Sequence, residues 1–259
     1  MELVRELMIP LTVAVVAALE QFYPCKRNRP LLARRLITNV GLYLINSAIL
    51  WALVHLTSGL SRVGDPLTIS ILGSDAFGRA AVLLCWFLAL DLANYLLHRL
   101  LHATPILFRL HCAHHSDCDV DLSTAFRHHP AEFVLSCAVT FLVAAIIGAP
   151  MEVTATYAAI TFTAQIWHHG RFELPPQTDR LLSFVIVTPA MHRMHHSLDE
   201  TQSQSNFGTL LSVWDRLLGT KVETSVISEF GVRNFDAYEH QKLEVALLSP
   251  IISSLGRVE

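Results

Sequence analysis

The sequence predicts an all-α, integral-membrane helical bundle. Three observations carry that reading: an apolar composition, several long uncharged runs, and histidines gathered at the ends of those runs. The chain of 259 residues is 52% hydrophobic and 16% charged, with a positive mean hydropathy. An ordinary soluble domain is nearer to ~25% charged. Nineteen Lys and Arg against twenty-two Asp and Glu leave a formal charge of −3, so no basic field exists to recruit nucleic acid. The five cysteines, Cys25, Cys85, Cys112, Cys118 and Cys137, are odd in number and scattered. They imply neither a disulfide framework nor a C-x-x-C site.

The apolar runs are Leu7–Leu19, Ile37–Leu56, Ala80–Leu97, Phe133–Ala149 and Val153–Trp167. They predict about four to five membrane helices. Several are shorter than the ~20 residues of a perpendicular span, so tilted or re-entrant helices are expected. The first run has acidic neighbours and no small-residue cleavage pattern, and reads as a retained membrane segment rather than a signal peptide.

Between the first two runs lie Lys26, Arg27, Arg29, Arg34 and Arg35. A short loop this basic is expected on the cytoplasmic side. Alternation from there puts the loop near Ser61–Asp75 outside and returns the third run to the cytoplasm just before His98. The hairpin through Gly148-Ala149-Pro150 then ends just before His168. The stretch from about residue 171 onward, with Pro175-Pro176 near its start, reads as a cytoplasmic helical cap.

All histidines except His55 and His240 fall into clusters. His98 and His102 are four residues apart, on one helix face. That helix should stop near Ala103, because Thr104 precedes a proline. Thr104 and Pro105 then open a new helix carrying His111, His114 and His115. The same pattern recurs at Thr188-Pro189, with His192, His195 and His196. Between them lie His128-His129-Pro130 and His168-His169-Gly170.

A lone histidine is ordinarily a surface or hydrogen-bonded residue, and His55 and His240 are read so. Burying this many rings near a membrane surface without partners would be costly, and metal is the natural compensation. One tetrahedral zinc takes four protein ligands, so eight to ten converging imidazoles imply two ions or a large surplus. Nitrogen-rich sites suit iron, copper, nickel or zinc, and spacing does not choose among them. A membrane metal carrier or transporter is the competing reading. It calls for ionisable residues within the spans, where only Asp91 lies. A bis-histidine haem protein needs only two axial ligands and leaves the paired H-x-x-H-H motifs without a reason.

The order H-x-x-x-H, H-x-x-H-H, a histidine pair after an apolar hairpin, then H-x-x-H-H resembles the fatty acid hydroxylase and sterol desaturase superfamily of membrane enzymes. The resemblance covers roughly residues 80–220. It extends to Tyr95, Arg99, Ser116, His129-Pro130, Asn206-Phe207-Gly208 and Trp214 through Thr220.

It implies a non-haem di-iron centre of two Fe ions that uses O2 to hydroxylate or desaturate a lipid. Its metal ligands and catalytic residues would be His98, His102, His111, His114, His115, His192, His195 and His196. One or both of His168 and His169 would complete the metal set, and His129 would be a further ligand or supporting residue. Ala164 stands where some fatty-acyl members carry an extra histidine, which tells against a fatty-acyl 2-hydroxylase.

On this reading the chain is a single membrane domain with N-terminal helices and loop over 1–79, a catalytic region over 80–220 and a tail over 221–259. Electrons would come from a separate donor of ferredoxin, cytochrome b5 or reductase type. Asp91 and Glu132 are expected to orient imidazoles. Asp117, Asp119 and Asp121 are expected in a solvated loop, Arg99 and Arg193 at phosphate or cap contacts or in catalysis, and Trp214 as an interfacial anchor.

Overall fold

The computed structural model describes residues 2–25, 32–57, 75–223, 229–233 and 239–252. Among these every regular element is a helix, and strand pairing is limited to isolated bridges. Lys26, Arg27, Arg29 and residues 61–74 of the predicted outer loop lie outside the described residues.

Helix α1 (Glu2–Phe22) and α2 (Leu32–Thr57) are followed by α3 (Ala76–Ala103), whose N-terminus is capped by Asp75 accepting from the Gly78 N–H at 2.8 Å. Thr104 ends α3 in an extended conformation, as a pre-proline residue should. Pro105 then starts α4 (Pro105–His115). A 3-10 turn (Leu122–Phe126) is closed by a capping box between Asp121 and Thr124. The hairpin follows as α5 (Pro130–Ile147) and α6 (Met151–His169), and Gly148 makes the turn in the left-handed region at φ 67°. Short helices α7 (Pro176–Leu182), α8 (Pro189–His195), α9 (Glu200–Ser203) and α10 (Val213–Leu217) build the cap, and α11 (Leu243–Ile252) follows.

Among the described residues, three helices are long and apolar enough to cross a membrane: Ala33–Leu56, Phe77–Ala103 and Pro130–Ile147. The predicted run Leu7–Leu19 forms part of α1, whose apolar stretch Leu7–Phe22 is shorter than those three. The run Val153–Trp167 lies in α6, where Thr154, Thr156, Thr161, Thr163 and Gln165 interrupt the apolar face. Helices α3, α5 and α6 meet around Trp86, Leu90, Ala144 and Tyr157, and the Trp86 indole donates to the Ile147 carbonyl at 3.0 Å.

The three aspartates read as a solvated loop are instead buried. Arg35 of α2 donates to Asp117 through two nitrogens at 2.5 and 3.0 Å and to Asp121 at 3.1 Å, while Arg171 donates to Asp119 at 2.9 Å. A short Asp-rich stretch looks solvated because its counter-charges come from α2 and from beyond α6, which no local pattern reveals. Burial by itself would raise the Asp117 pKa; the Arg35 and Arg127 guanidinium groups outweigh it and hold the carboxyl below its ordinary value. Arg127 completes the knot. It donates to the carbonyls of Ala113 and His240, both at 2.7 Å, and to Asn39 at 3.0 Å, so the loop after α4 is fastened to α2 and to the chain before α11.

Candidate metal centre

Nine histidines converge as two groups. His98, His102, His111, His115 and His195 form one, and His114, His169, His192 and His196 the other, with the ligand atoms of each group within 4.8 Å of one another. His98 is partly buried and the other eight are buried. The last two turns of α3 supply two rings, α4 three, the end of α6 one, and α8 with its C-cap three. Proline-initiated starts aim α4 and α8. Thr188 additionally caps α8 by accepting from the Met191 N–H at 3.4 Å.

The rings present Nε2 inward. Nε2 of His98 lies 3.2 Å from that of His111 and 3.0 Å from that of His195, and the His102 and His115 nitrogens are 3.1 Å apart. In the second group the Nε2 of His169 is 3.2 Å from that of His114 and 2.9 Å from that of His192, which is 3.1 Å from that of His196.

On the outer side Nδ1 of His98 donates to the Phe207 carbonyl at 2.8 Å, His195 to Ser205 at 2.8 Å, His114 to Arg127 at 3.1 Å and His169 to Gln165 at 2.7 Å. Burial, aided by neighbouring rings, drives the pKa of His114, His115, His192 and His196 well below the ordinary value, and burial takes His169 and His195 down to about 3.

These rings are therefore neutral. A ring that donates through Nδ1 carries a lone pair on Nε2. Facing lone pairs about 3 Å apart repel unless a cation lies between them. Nine imidazole nitrogen donors in groups of five and four fit two transition-metal ions.

Glu132 supports the first group, with one carboxylate oxygen accepting from Nδ1 of His111 at 2.8 Å and of His128 at 3.1 Å. His128 stacks on His114 with centroids 4.4 Å apart. His168 borders the second group, 4.0 Å from the His192 ring, without joining it.

The structure does not bring His129 to either group. It caps α5, accepting from the Ala131 N–H at 3.1 Å, and its Nε2 meets the Leu247 carbonyl at 3.1 Å. The expectation that Asp91 orients an imidazole is likewise corrected. Asp91 accepts from the Trp214 indole at 2.8 Å, the Leu211 N–H at 3.3 Å and the Tyr157 hydroxyl at 3.3 Å. Trp214 thereby ties the cap to α3. Arg193 contacts backbone, donating to the carbonyls of Gly170 and Phe172.

The sequence missed Arg127, Gln165 and Ser205. They serve the imidazoles through main-chain carbonyls, which carry no side-chain signature. A fourth carbonyl, that of Phe207, is positioned by a side chain. Asp215 accepts from the Phe207 and Gly208 N–H groups at 2.7 and 2.9 Å, and so presents the Phe207 carbonyl to His98. A Cβ on Gly208 would come within 2.8 Å of Asp215, which explains a glycine there. A cavity of about 90 Å³ opens on both groups, with Asn94, Leu101, Ser136, Gln165 and Thr209 on its wall.

Two all-imidazole groups beside helices long and apolar enough to cross a membrane define the class: a membrane protein with a candidate metal site. The chain belongs to the fatty acid hydroxylase family, whose pattern matches residues 83–220, just over half of it. It is 32% identical over 138 residues to alkylglycerol monooxygenase of Xenopus tropicalis, covering 52% of this chain and 29% of that protein. It is 30% identical over 126 residues to ornithine lipid hydroxylase OlsE of Rhizobium tropici, covering 49% and 37%. It is 30% identical over 145 residues to very-long-chain aldehyde decarbonylase CER1 of Arabidopsis thaliana, covering 51% and 22%. The chain thus spans about a third or less of the length of these relatives. No solved structure matches it.

Proposed function

We propose that this chain is a multi-pass membrane oxidoreductase that holds two iron ions and uses O2 to hydroxylate or desaturate a lipid. The observation that carries the reading is the division of nine inward-facing imidazoles into groups of five and four. The names of the three relatives specify an alkylglycerol, an ornithine lipid and a very-long-chain aldehyde, and all three are lipid chemistries.

His98, His102, His111, His115 and His195 would hold one ion and His114, His169, His192 and His196 the other, with His168 beside the second. Bound iron would supply the redox chemistry that O2 activation needs and that zinc lacks. The protein's own contribution is positional and electrostatic. Main-chain carbonyls fix the tautomers of His98, His114, His169 and His195, Glu132 fixes that of His111, and imidazole donors would leave the metal charge largely uncompensated.

Retained as proposals are the cytoplasmic placement of the site, a separate electron donor of ferredoxin, cytochrome b5 or reductase type, and a catalytic region over 80–220 within one membrane domain. A metal-transport reading would need a mid-span ionisable group open to a passing ion. Asp91 is instead engaged by three donors.

Two measurements test the function. Elemental analysis of protein from iron-replete cells should find about two Fe per chain, and one zinc with no iron would overturn the assignment. Comparative lipid mass spectrometry with and without the gene should show a species shifted by one oxygen or by two hydrogens.

A further inference from the structure

Two segments of the cap, residues 181–187 and 210–222, are zipped into one flap. Ile186 bridges Leu211, the Val187 N–H donates to the Leu210 carbonyl at 3.0 Å, and the Ser212 N–H donates to Val185 at 3.0 Å. Arg216 and the Ser212 hydroxyl both donate to the Ser183 carbonyl, at 3.1 and 2.8 Å. From this flap Leu181, Phe184, Val185, Leu217 and Leu218 are exposed, Leu181 at 71% and Leu217 at 69%. Neighbouring large apolar side chains left uncovered mark an interaction surface. Cations border them: the Arg216 guanidinium sits 4.1 Å over the Phe184 ring, the Lys221 ammonium 5.8 Å from it, and Arg180 is exposed on α7.

The depth of the flap follows from its attachment to α3. That helix has 28 residues, about 42 Å at 1.5 Å per residue, against a hydrocarbon core of ~30 Å. At most ~12 Å can therefore project beyond the core on the histidine side. Asp91 stands twelve residues before Ala103, about 18 Å from that end. It lies ~6 Å or more inside the hydrocarbon boundary, and deeper if the other end of α3 also projects. The flap is bonded to this carboxylate through Trp214 and Leu211.

We propose that the flap is a lipid-binding foot, seated in the adjoining leaflet beside α3. Its apolar side chains lie among acyl chains, and Arg180, Arg216 and Lys221 lie at the level of anionic phospholipid headgroups. The cap then does more than cover the histidines from the water side, because it enters the same leaflet through a second contact. This inference rests on α3 being a membrane span and is independent of the metal chemistry.

The test uses the full-length protein in lipid nanodiscs, with Phe184→Trp or Leu217→Trp added and the wild-type emission subtracted. The added emission should be quenched by lipid brominated on its acyl chains and spared by aqueous iodide. Thr201→Trp on the exposed part of α9 should show the reverse. Quenching by bromolipid should increase when anionic phosphatidylglycerol replaces phosphatidylcholine, and the Arg216→Gln, Lys221→Gln double variant should lose that increase. Iodide quenching without bromolipid quenching overturns the proposal. Protection from both quenchers overturns it too, assigning the face to a protein contact such as a second copy. Equal quenching in the two lipids overturns the headgroup part.

Discussion

Glu132 accepts from Nδ1 of His111 at 2.8 Å, and the two side chains are almost wholly excluded from solvent. The carboxylate fixes which ring nitrogen faces the metal group and raises that nitrogen's basicity. Glu132→Gln keeps the shape and removes the charge. It should lower metal affinity about 10- to 100-fold, measured as retention of iron against a graded chelator. Unchanged retention would show that Glu132 only fills space.

His115 and His196 come from matching motifs and stack across the two groups, with centroids 4.5 Å apart and planes 17° from parallel. Replacing either with Ala should abolish lipid conversion while the protein still inserts in the membrane, because the apolar spans are untouched. His55→Ala should leave conversion near normal, since that ring is exposed, belongs to neither histidine group and meets the Trp51 carbonyl and indole. Retained conversion in His196→Ala would refute the ligand assignment.

Chelation should lower the thermal midpoint of the detergent-solubilised protein, and added ferrous iron should restore it. Without an ion the close Nε2 pairs face one another uncompensated, so metal binding adds directly to native-state stability. A midpoint insensitive to chelator would mean that the rings tolerate their contacts unaided.

Breaking the Arg35–Asp117 pair by Arg35→Ala leaves a buried carboxylate without its principal cation. The expected loss is ~3–5 kcal/mol, read from denaturant unfolding. Adding Asp117→Asn should recover part of it, because the stranded charge is then gone. No recovery would indicate that lost packing dominates.

Acid should destabilise the metal-free protein in a defined direction. Burial lowers His169 and His195 to about 3 in the folded chain, while unfolded imidazole titrates near ~6.5. The unfolded state therefore takes up protons first. Stability is fully present above pH ~6.5 and is lost progressively as pH falls toward ~3. Unfolding free energies across that window check the sign, and stability that rose on acidification would contradict neutral buried rings.

What the sequence by itself determined was local. A pre-proline threonine must leave the helical region, so the end of α3 and the starts of α4 and α8 were readable. Histidines three and four apart must share a helix face, so a histidine-rich metal site was readable as well.

The tertiary structure decided how the motifs divide. From α4, His111 and His115 enter the group of five and His114 the group of four; from α8, His192 and His196 enter the group of four and His195 the group of five. Adjacent residues on a helix point about 100° apart, so one motif must serve two centres. Which centre each ring serves depends on the helix packed opposite. The same limit explains Asp117, which looks solvated until Arg35, 82 positions earlier, is brought against it. Charge neutralisation is a property of distance in space, and no local pattern carries it.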